Sequence, residues 1–310
     1  MRFSAKAKKL LICMTALCAC LAMAACGSKE PTERKIDLQS WQPSEEEEAA
    51  EMIPVLAYHK IKPYDPADEA TILEMYDTTF EEEMNYLRDN DFVTLTTDEF
   101  YQWYRGEIEV PKKSVLVTFD DGFYGLHYYA YPVIKRNGQA ATAFLIGHLI
   151  EDKTPEWDPN AETDYRIGLD VIESTREEYP RFSYESHTFN MHKKIKSRHP
   201  VNVFTREEMV QDCESNARFG FTYLAYPWGD YNEEFQGVLK EMGYRMAFGY
   251  DDPFYYATRN DDQYAINRVR INGTCSLDDF IEIVNCESEK HIPPEMSGQT
   301  EETEETEQEN

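Results

Sequence analysis

Short apolar runs rich in β-forming residues alternate with helical periodicity along this chain, and this alternation limits the possible folds more than any other feature. Strands that alternate with helices form parallel βαβ units. Phe80, Met84 and Leu87 have helical spacing, and Thr205 with Glu208 forms a capping box. Seven strands within about 240 residues predict an α/β fold, a distorted or incomplete (β/α)7 barrel. The predicted strands span 55–58, 115–119, 141–146, 182–185, 222–226, 244–248 and 265–271.

The N-terminal residues have to be separated from the fold. A positively charged start is followed by an apolar run over residues 10–25, which is too short for a comfortable transmembrane span. The run ends in MAAC and resembles a bacterial lipoprotein signal, in which Cys26 becomes the lipidated first residue of the mature chain. An ordinary cleaved signal with a chance cysteine is the alternative. Both interpretations predict export, and the first predicts a lipid anchor on the outer face of the bacterial cell membrane.

Composition divides the rest of the chain into three parts after the signal peptide of residues 1–25. Residues 26–51 are polar and acidic, which predicts a flexible tether. Residues 291–310 are rich in Glu and Thr, which predicts a disordered tail. The folded domain is therefore predicted over residues 52–290.

The charge of the chain excludes several kinds of partner. It has 59 acidic and 31 basic residues, a formal net charge of -28. Nucleic acid and anionic lipid surfaces are bound by clustered Lys and Arg, so we expect neither as a main partner. We also expect the protein to be a monomer. Of the cysteines beyond residue 26, Cys275 and Cys286 flank a predicted helix that would hold them on the order of 15 Å apart. We predict that these two and Cys213 are free thiols.

Polar side chains follow several predicted strands at the point where each strand ends. His59 follows the first strand, Asp120 and Asp121 follow the second, and His187 and His192 follow the fourth. Active sites of (β/α) barrels lie at this end of the strands. Two histidines and a carboxylate can bind a divalent metal that activates water, and a second carboxylate can act as a base. Taken one by one, the same residues could be a solvated turn and surface histidines.

Taken together, these residues resemble the polysaccharide deacetylases, the NodB-homology family known as carbohydrate esterase family 4. The resemblance covers roughly residues 52–286. It extends to the subgroup that includes the poly-N-acetylglucosamine deacetylases, in which the order of the motifs is permuted. The matching segments are TFDDG at 118–122, SHTFNMH at 186–192, AYPWG at 225–229, PVLAYHKI at 54–61 and the stretch at 79–100.

The resemblance implies the metal site and the base. Asp121, His187 and His192 would bind one divalent metal ion, zinc in the first place, with cobalt, nickel or iron as alternatives. Asp120 would take a proton from the water that attacks the acetamide carbonyl.

The resemblance also implies an acid and an oxyanion donor. His59 would protonate the departing amine, and the backbone N–H of Trp228 would help to stabilise the oxyanion. One residue departs from the family pattern, because Ala225 stands where the third motif begins with an arginine that orients the catalytic aspartate. Arg268 is the first candidate to replace that arginine and Arg270 the second, and a structural ion pair is an equally good interpretation of either.

Four residues of the third motif region, Tyr226, Pro227, Trp228 and Tyr231, are candidates for binding the sugar, with core packing as the alternative. The predicted function is a metal-dependent hydrolase that removes N-acetyl groups from a cell-surface polysaccharide, either poly-N-acetylglucosamine or peptidoglycan. Two alternatives stay open. One is an esterase for O-acetyl groups, as in acetylated xylan, and the other is a glycan-binding lipoprotein without activity, which the missing motif arginine would explain.

Overall fold

Parallel strands with few polar side chains form the centre of the molecule. The structure is a computed structural model that describes residues 35–67, 70–156, 165–250, 254–293 and 296. Its strands are β1 (Met52–Ile53), β2 (Val55–Tyr58), β3 (Lys60–Lys62), β4 (Glu74–Tyr76), β5 (Val93–Thr94), β6 (Ser114–Phe119), β7 (Ala141–Leu145), β8 (Phe182–Ser186), β9 (Tyr223–Ala225), β10 (Met246–Phe248), β11 (Ala257–Thr258) and β12 (Val269–Arg270).

The main sheet curls back on itself. The strand order is β10-β9-β8-β7-β6-β2-β12, and every neighbouring pair is parallel. Strand β5 is not part of this order and pairs with β6, also in parallel. A parallel bridge between Phe248 and Ile266 links the two ends of the sheet, and Gly249 N donates to the Ile266 carbonyl at 2.8 Å. Strands β2, β6 and β7 are buried along their whole length, as expected for parallel strands covered by helices. The predicted α/β fold with a distorted (β/α)7 barrel is confirmed.

The helices follow the periodicity of the sequence. Phe80, Met84 and Leu87 are buried along one face of the first helix, and Thr205 and Glu208 form the predicted capping box. The α-helices are α1 (Asp77–Asp89), α2 (Thr97–Tyr104), α3 (Tyr131–Asn137), α4 (Leu169–Glu178), α5 (Arg206–Asn216), α6 (Glu233–Glu241) and α7 (Leu277–Val284).

The last predicted strand is shorter than expected. Only Val269 and Arg270 pair with β2, although the sequence predicts a strand over residues 265–271. The interruption has a local cause, since the backbone N–H of Arg268 donates to the side chain of Asn267 at 2.8 Å. A side chain that competes for a backbone donor in this way breaks a strand ladder.

The packed domain begins before the predicted boundary at residue 52. Leu38 and Ala50 are buried, and the Trp103 indole donates to the Ala50 carbonyl at 3.2 Å. The described part of the predicted tether therefore covers the face of α2, because its few apolar residues complete that core. At the other end, Tyr256 N donates to the carbonyl of the buried His291 at 2.7 Å. The signal peptide, Cys26 and the tail from residue 297 lie outside the described residues.

Three further observations concern the described residues as a whole. Cys213, Cys275 and Cys286 are free, which confirms the prediction. Most buried apolar side chains belong to large clusters between the sheet and the helices around it. Within the part of the chain that the structure describes, no helix is long and apolar enough to cross a bilayer.

One carboxyl group is buried in the core between α1 and β2. Glu83 is fully buried and accepts a hydrogen bond from the Tyr58 hydroxyl at 2.8 Å. Burial raises the pKa of Glu83 from 4.5 to about 8, against the opposite effect of the Tyr58 hydrogen bond. A raised pKa in the folded state means that this group contributes stability below pH 4.5, and that the contribution is lost as the pH rises through about 8.

We predict that Glu83→Gln stabilises the protein at alkaline pH. Glutamine keeps an acceptor for Tyr58 but carries no charge, so the gain should be small at pH 5 and reach a few kcal/mol, roughly, at pH 9. Urea denaturation at both pH values measures it. Glu82→Gln, an exposed neighbour on the same helix, is the control and should show no comparable gain. An effect of Glu83→Gln that is equal at both pH values would contradict the prediction.

Candidate active site

The carboxyl ends of neighbouring strands bring the predicted site residues together at one end of the barrel. His59 follows β2, and Asp120, directly after β6, donates its backbone N–H to the Tyr58 carbonyl at 2.9 Å. His187 follows β8 and donates its backbone N–H to the Leu145 carbonyl at 2.8 Å. These backbone hydrogen bonds continue the strand ladders by one residue, so the side chains start from rigid positions.

Asp121, His187 and His192 form a compact group of possible metal ligands. Asp121 Oδ1 lies 3.5 Å from His187 Nε2 and 3.3 Å from His192 Nε2, and one ligand atom from each residue lies within 4.8 Å of the others. Asp121 Oδ1 is buried and has no hydrogen-bond partner among the described residues. A buried acceptor without a donor is costly, and a cation would satisfy it. Two imidazoles and one carboxylate therefore fit a divalent metal ion.

The ring of His187 is prepared for coordination. Its Nδ1 lies 2.7 Å from the Ala225 carbonyl, so Nδ1 carries the proton and Nε2 points its lone pair at Asp121. This is the arrangement in which the other ring nitrogen of a ligand histidine is fixed by an acceptor. Burial lowers the pKa of His187 to about 4, so the ring is neutral at physiological pH, as metal binding requires.

Backbone strain points the two adjacent carboxylates in different directions. Asp121 has a φ of 70°, in the left-handed region, and Gly122 after it has a φ of 71°. Such conformations in non-glycine residues cost energy and collect at functional sites. The tight turn places Asp121 against the two histidines while Asp120 faces the inside of the barrel.

Asp120 is held by a fully buried arginine. Arg268 Nη1 and Nη2 donate to the two carboxylate oxygens of Asp120, both at 2.8 Å, and Nη1 also reaches Thr118 Oγ1 at 3.3 Å. Burial alone would raise the pKa of Asp120, but the Arg268 charge and its bidentate hydrogen bonds hold that pKa well below its usual range. Arg270, the second candidate, does not hold Asp120 in this way; its guanidinium lies 5.2 Å from the centre of the Tyr250 ring.

His59 lies beside the same carboxylate. Its Nε2 is 3.8 Å from Asp120 Oδ2, and its buried Nδ1 has no hydrogen-bond partner within the described ranges. Burial lowers the pKa of His59, while the neighbouring carboxylates act in the opposite direction. The structure thus places the predicted acid within reach of the predicted base.

Tyr250 is a site residue that the sequence analysis did not identify. Its hydroxyl donates to Asp120 Oδ2 at 3.4 Å, and its ring lies 4.4 Å from the Arg268 guanidinium. Burial raises the pKa of Tyr250 far above its usual value, so it stays a donor. Tyr250 lies two residues after the end of β10, and a position just after a strand is also what identified the other site residues in the sequence.

Trp228 lies against the metal-ligand group in a strained turn. Its φ is 59°, and Gly229 follows with a φ of 80°. The indole lies 4.5 Å from the His192 ring and 4.2 Å from the His199 ring, which is nearly parallel to it. His199 in turn contacts Asp230 through Nδ1. The sequence offered no motif for His199, and only the fold brings its ring to the site.

The other predicted sugar-binding residues lie deeper. Tyr226 is fully buried, and its hydroxyl donates to the Tyr264 carbonyl at 2.9 Å. Pro227 is buried as well, and Tyr231 is partly buried with its ring 5.3 Å from that of Tyr226. Tyr226 is therefore a core residue in this structure, whereas Pro227 lines a small pocket together with Trp228 and His199.

The comparison with protein families agrees with this geometry. Residues 107–247 match the family model for polysaccharide deacetylase. Over these residues the chain is similar to the polysaccharide deacetylases. The expected resemblance is confirmed, and so is the expected class of enzyme, a deacetylase.

Relatives and solved structures extend the likeness beyond the matched residues. YxkH of Bacillus subtilis (strain 168), named for the same family, is 27% identical over 86% of this chain and 94% of its own length. The poly-beta-1,6-N-acetyl-D-glucosamine N-deacetylase of Staphylococcus aureus (strain MRSA252) is 26% identical over 62% of this chain and 66% of its own length.

Two solved structures share the fold at low sequence identity. The Streptococcus pyogenes deacetylase PplD, solved with acetate, aligns with a TM-score of 0.63 at 20% identity, over 75% of this chain and 98% of that chain. IcaB from Ammonifex degensii aligns with a TM-score of 0.60 at 21% identity, over 76% of this chain and 96% of that chain. Both support the barrel architecture described above.

We predict that Arg268→Gln strongly destabilises the metal-free protein. It leaves the Asp120 carboxylate buried without its cation, and the expected loss in free energy of unfolding is about 3–5 kcal/mol by urea denaturation. The double variant Asp120→Asn with Arg268→Gln should recover part of the loss, because no unpaired charge remains. Arg270→Gln, two residues further along the chain, is the matched control and should lose much less. A loss below about 1 kcal/mol for Arg268→Gln, the size of an exposed ion pair, would refute the prediction.

Proposed function

We propose that this chain is a metal-dependent N-deacetylase that hydrolyses the N-acetyl groups of a cell-surface polysaccharide, with zinc as its metal. One observation carries the proposal: the ligand group of Asp121, His187 and His192 lies directly beside a separate, arginine-bound carboxylate, Asp120. A cation site and an independent base at the same strand end are what amide hydrolysis by water needs. The name of the Staphylococcus aureus relative supports poly-N-acetylglucosamine as the class of polymer.

The chemistry can be assigned to the residues that the fold places together. Asp121, His187 and His192 would hold the metal, which when bound polarises a carbonyl and acidifies water. Asp120, kept ionised by Arg268, accepts the proton of the attacking water. His59 delivers a proton to the nitrogen as the C–N bond breaks, so that acetate and a free amine leave.

Arg268 supports an active enzyme over a glycan-binding protein without activity. The latter interpretation rests on Ala225, which stands where the third motif usually has an arginine. Arg268, the residue directly before β12, reaches Asp120 with two hydrogen bonds of 2.8 Å, so a cation orients the catalytic carboxylate by another route. We therefore assign Arg268 the orienting role.

Asp120→Asn is expected to abolish deacetylation while zinc stays bound. The amide cannot accept a proton, whereas the three proposed ligands are unchanged, so kcat should fall by at least 10²-fold. Acetate release from N-acetylglucosamine oligomers and from peptidoglycan, with added Zn²⁺, Co²⁺ or Ni²⁺, measures the activity, and metal analysis measures the occupancy. Asp278→Asn, an exposed aspartate in α7, is the control and should stay active.

The choice of substrates makes the experiment decisive. Wild-type protein that releases no acetate from any N-acetylated glycan would refute the proposed function. Release from acetylated xylan alone would replace it with an O-acetyl esterase, whose substrate bond is an ester. Acetate release from both N-acetylglucosamine oligomers and peptidoglycan would support N-deacetylation, and the two values of kcat/KM would show which polymer is preferred.

We propose further that the mature enzyme is anchored by lipid at Cys26 on the outer face of the cell membrane. The support is the charged start and apolar run before Cys26 in the sequence. In a bacterial host that processes lipoproteins, Cys26→Ala should move the protein from the membrane fraction to the soluble exported fraction. Cys213→Ala, a cysteine buried in the domain, is the matched control and should leave the distribution unchanged. A Cys26→Ala protein that stays in the membrane fraction would refute the anchor.

A further inference from the structure

The two histidines of the ligand group lie at the ends of a short loop. His187 and His192 have four residues between them, so neither one helical face nor one strand face presents both. The loop begins at the end of β8 and passes through Thr188, whose φ of 64° turns the chain. Loops of this kind are usually mobile unless their backbone groups are bound elsewhere. The spacing of the two Nε2 atoms therefore depends on what holds the loop.

Side chains bind every backbone N–H between the two histidines. Thr188 N donates to Ser186 Oγ at 3.1 Å, and Met191 N donates to Thr188 Oγ1 at 3.2 Å. The two N–H groups in the middle, those of Phe189 and Asn190, donate to one acidic side chain that lies outside the loop.

That side chain is Asp212, on α5. Phe189 N donates to its Oδ2 and Asn190 N donates to its Oδ1, both at 2.7 Å. Asp212 is 6% exposed, so both hydrogen bonds are sheltered from water. Bonds to an ionised acceptor are shorter and stronger than neutral ones, and these two fix consecutive peptide units. Asp212 thus ties the middle of the ligand loop to a helix.

The opposite side of the loop is held through its carbonyl groups. Gly147 N donates to the Thr188 carbonyl at 3.0 Å, and His148 N donates to the Phe189 carbonyl at 3.0 Å. A side chain at position 147 would collide with the Asn216 amide, since a Cβ there would lie 2.0 Å from Asn216 Oδ1. The loop is therefore clamped between the end of β7 and α5.

We propose that Asp212 is a positioning residue that sets the separation of His187 and His192 and thereby the affinity of the site for a divalent metal ion. The inference rests on the metal site of the proposed function. It assigns a role to a residue that is not one of the proposed metal ligands and that acts through the backbone of the loop between two of them. A purely structural Asp212 would affect the stability of the fold but not the metal affinity of the folded protein, and this difference can be measured.

Asp212→Asn tests the inference, because each carboxylate oxygen takes one hydrogen bond and an amide has only one acceptor. Zn²⁺ affinity is measured by competition with a chelating dye, and the visible spectrum of the Co²⁺-loaded protein reports the geometry of the ligands. We expect the dissociation constant for Zn²⁺ to rise on the order of tenfold or more, with a changed Co²⁺ spectrum. Asp212→Glu keeps both acceptor oxygens but displaces them by one methylene group. It should also raise the dissociation constant for Zn²⁺ and change the Co²⁺ spectrum.

Glu185→Gln is the matched control. Glu185 also binds two backbone N–H groups, those of Thr222 and Tyr223, at 2.7 and 3.0 Å, but both reach the same oxygen, Oε2. An amide oxygen can keep both of these bonds, and they hold the start of β9, not the ligand loop. The Zn²⁺ affinity of Glu185→Gln should stay within twofold of wild type.

The outcomes separate this inference from the proposed function. If folded Asp212→Asn, or folded Asp212→Glu where the first does not fold, binds Zn²⁺ within twofold of wild type with an unchanged Co²⁺ spectrum, the positioning role is refuted while the metal site stands. If wild-type protein binds neither ion, the metal-dependent function and the positioning role both fail. Weaker binding with a circular dichroism spectrum like that of wild type supports the positioning role.

Discussion

The bidentate ion pair between Arg268 and Asp120 is the interaction on which the rest of the site depends. It lies inside the barrel with both side chains at most 1% exposed, where an unpaired charge would cost several kcal/mol, roughly. Asp120 is joined by a further hydrogen bond from Tyr250 at 3.4 Å and lies 3.8 Å from His59. One cation therefore keeps a carboxylate ionised where burial alone would protonate it, and the other groups are arranged around that carboxylate.

The second constraint is the turn that separates two adjacent acids. Asp120 continues the ladder of β6, but Asp121 has a φ of 70°, and Gly122 approaches Leu145 so closely that an added Cβ would lie 2.7 Å from its side chain. The strain at Asp121 moves its carboxylate away from Arg268 and toward His187 and His192. Two neighbouring residues of the same type thus meet different surroundings, one cationic and one with imidazole nitrogens.

The sequence predicted the parts of the site that follow from strand ends and motif spacing. His59, Asp120, Asp121, His187 and His192 all lie where the barrel prediction placed them. Other features depend on contacts between distant segments, which no local pattern encodes. Arg268 was only one of two candidates, because its partner is 148 residues away. The sequence did not predict the packing of residues 38–50, because the two buried apolar residues, Leu38 and Ala50, lie within a mostly acidic stretch of sequence.

Two kinds of restraint therefore meet at the proposed metal site, and they differ in origin. His187 is fixed by the strand before it and by the Ala225 carbonyl 2.7 Å from its Nδ1, whereas His192 depends on a loop held by Asp212. Asp121 Oδ1 is buried with no donor among the described residues, so the site keeps an unsatisfied acceptor that a cation would satisfy. The free energy of binding a metal there would add to that of folding, because the ligand spacing exists only in the folded chain.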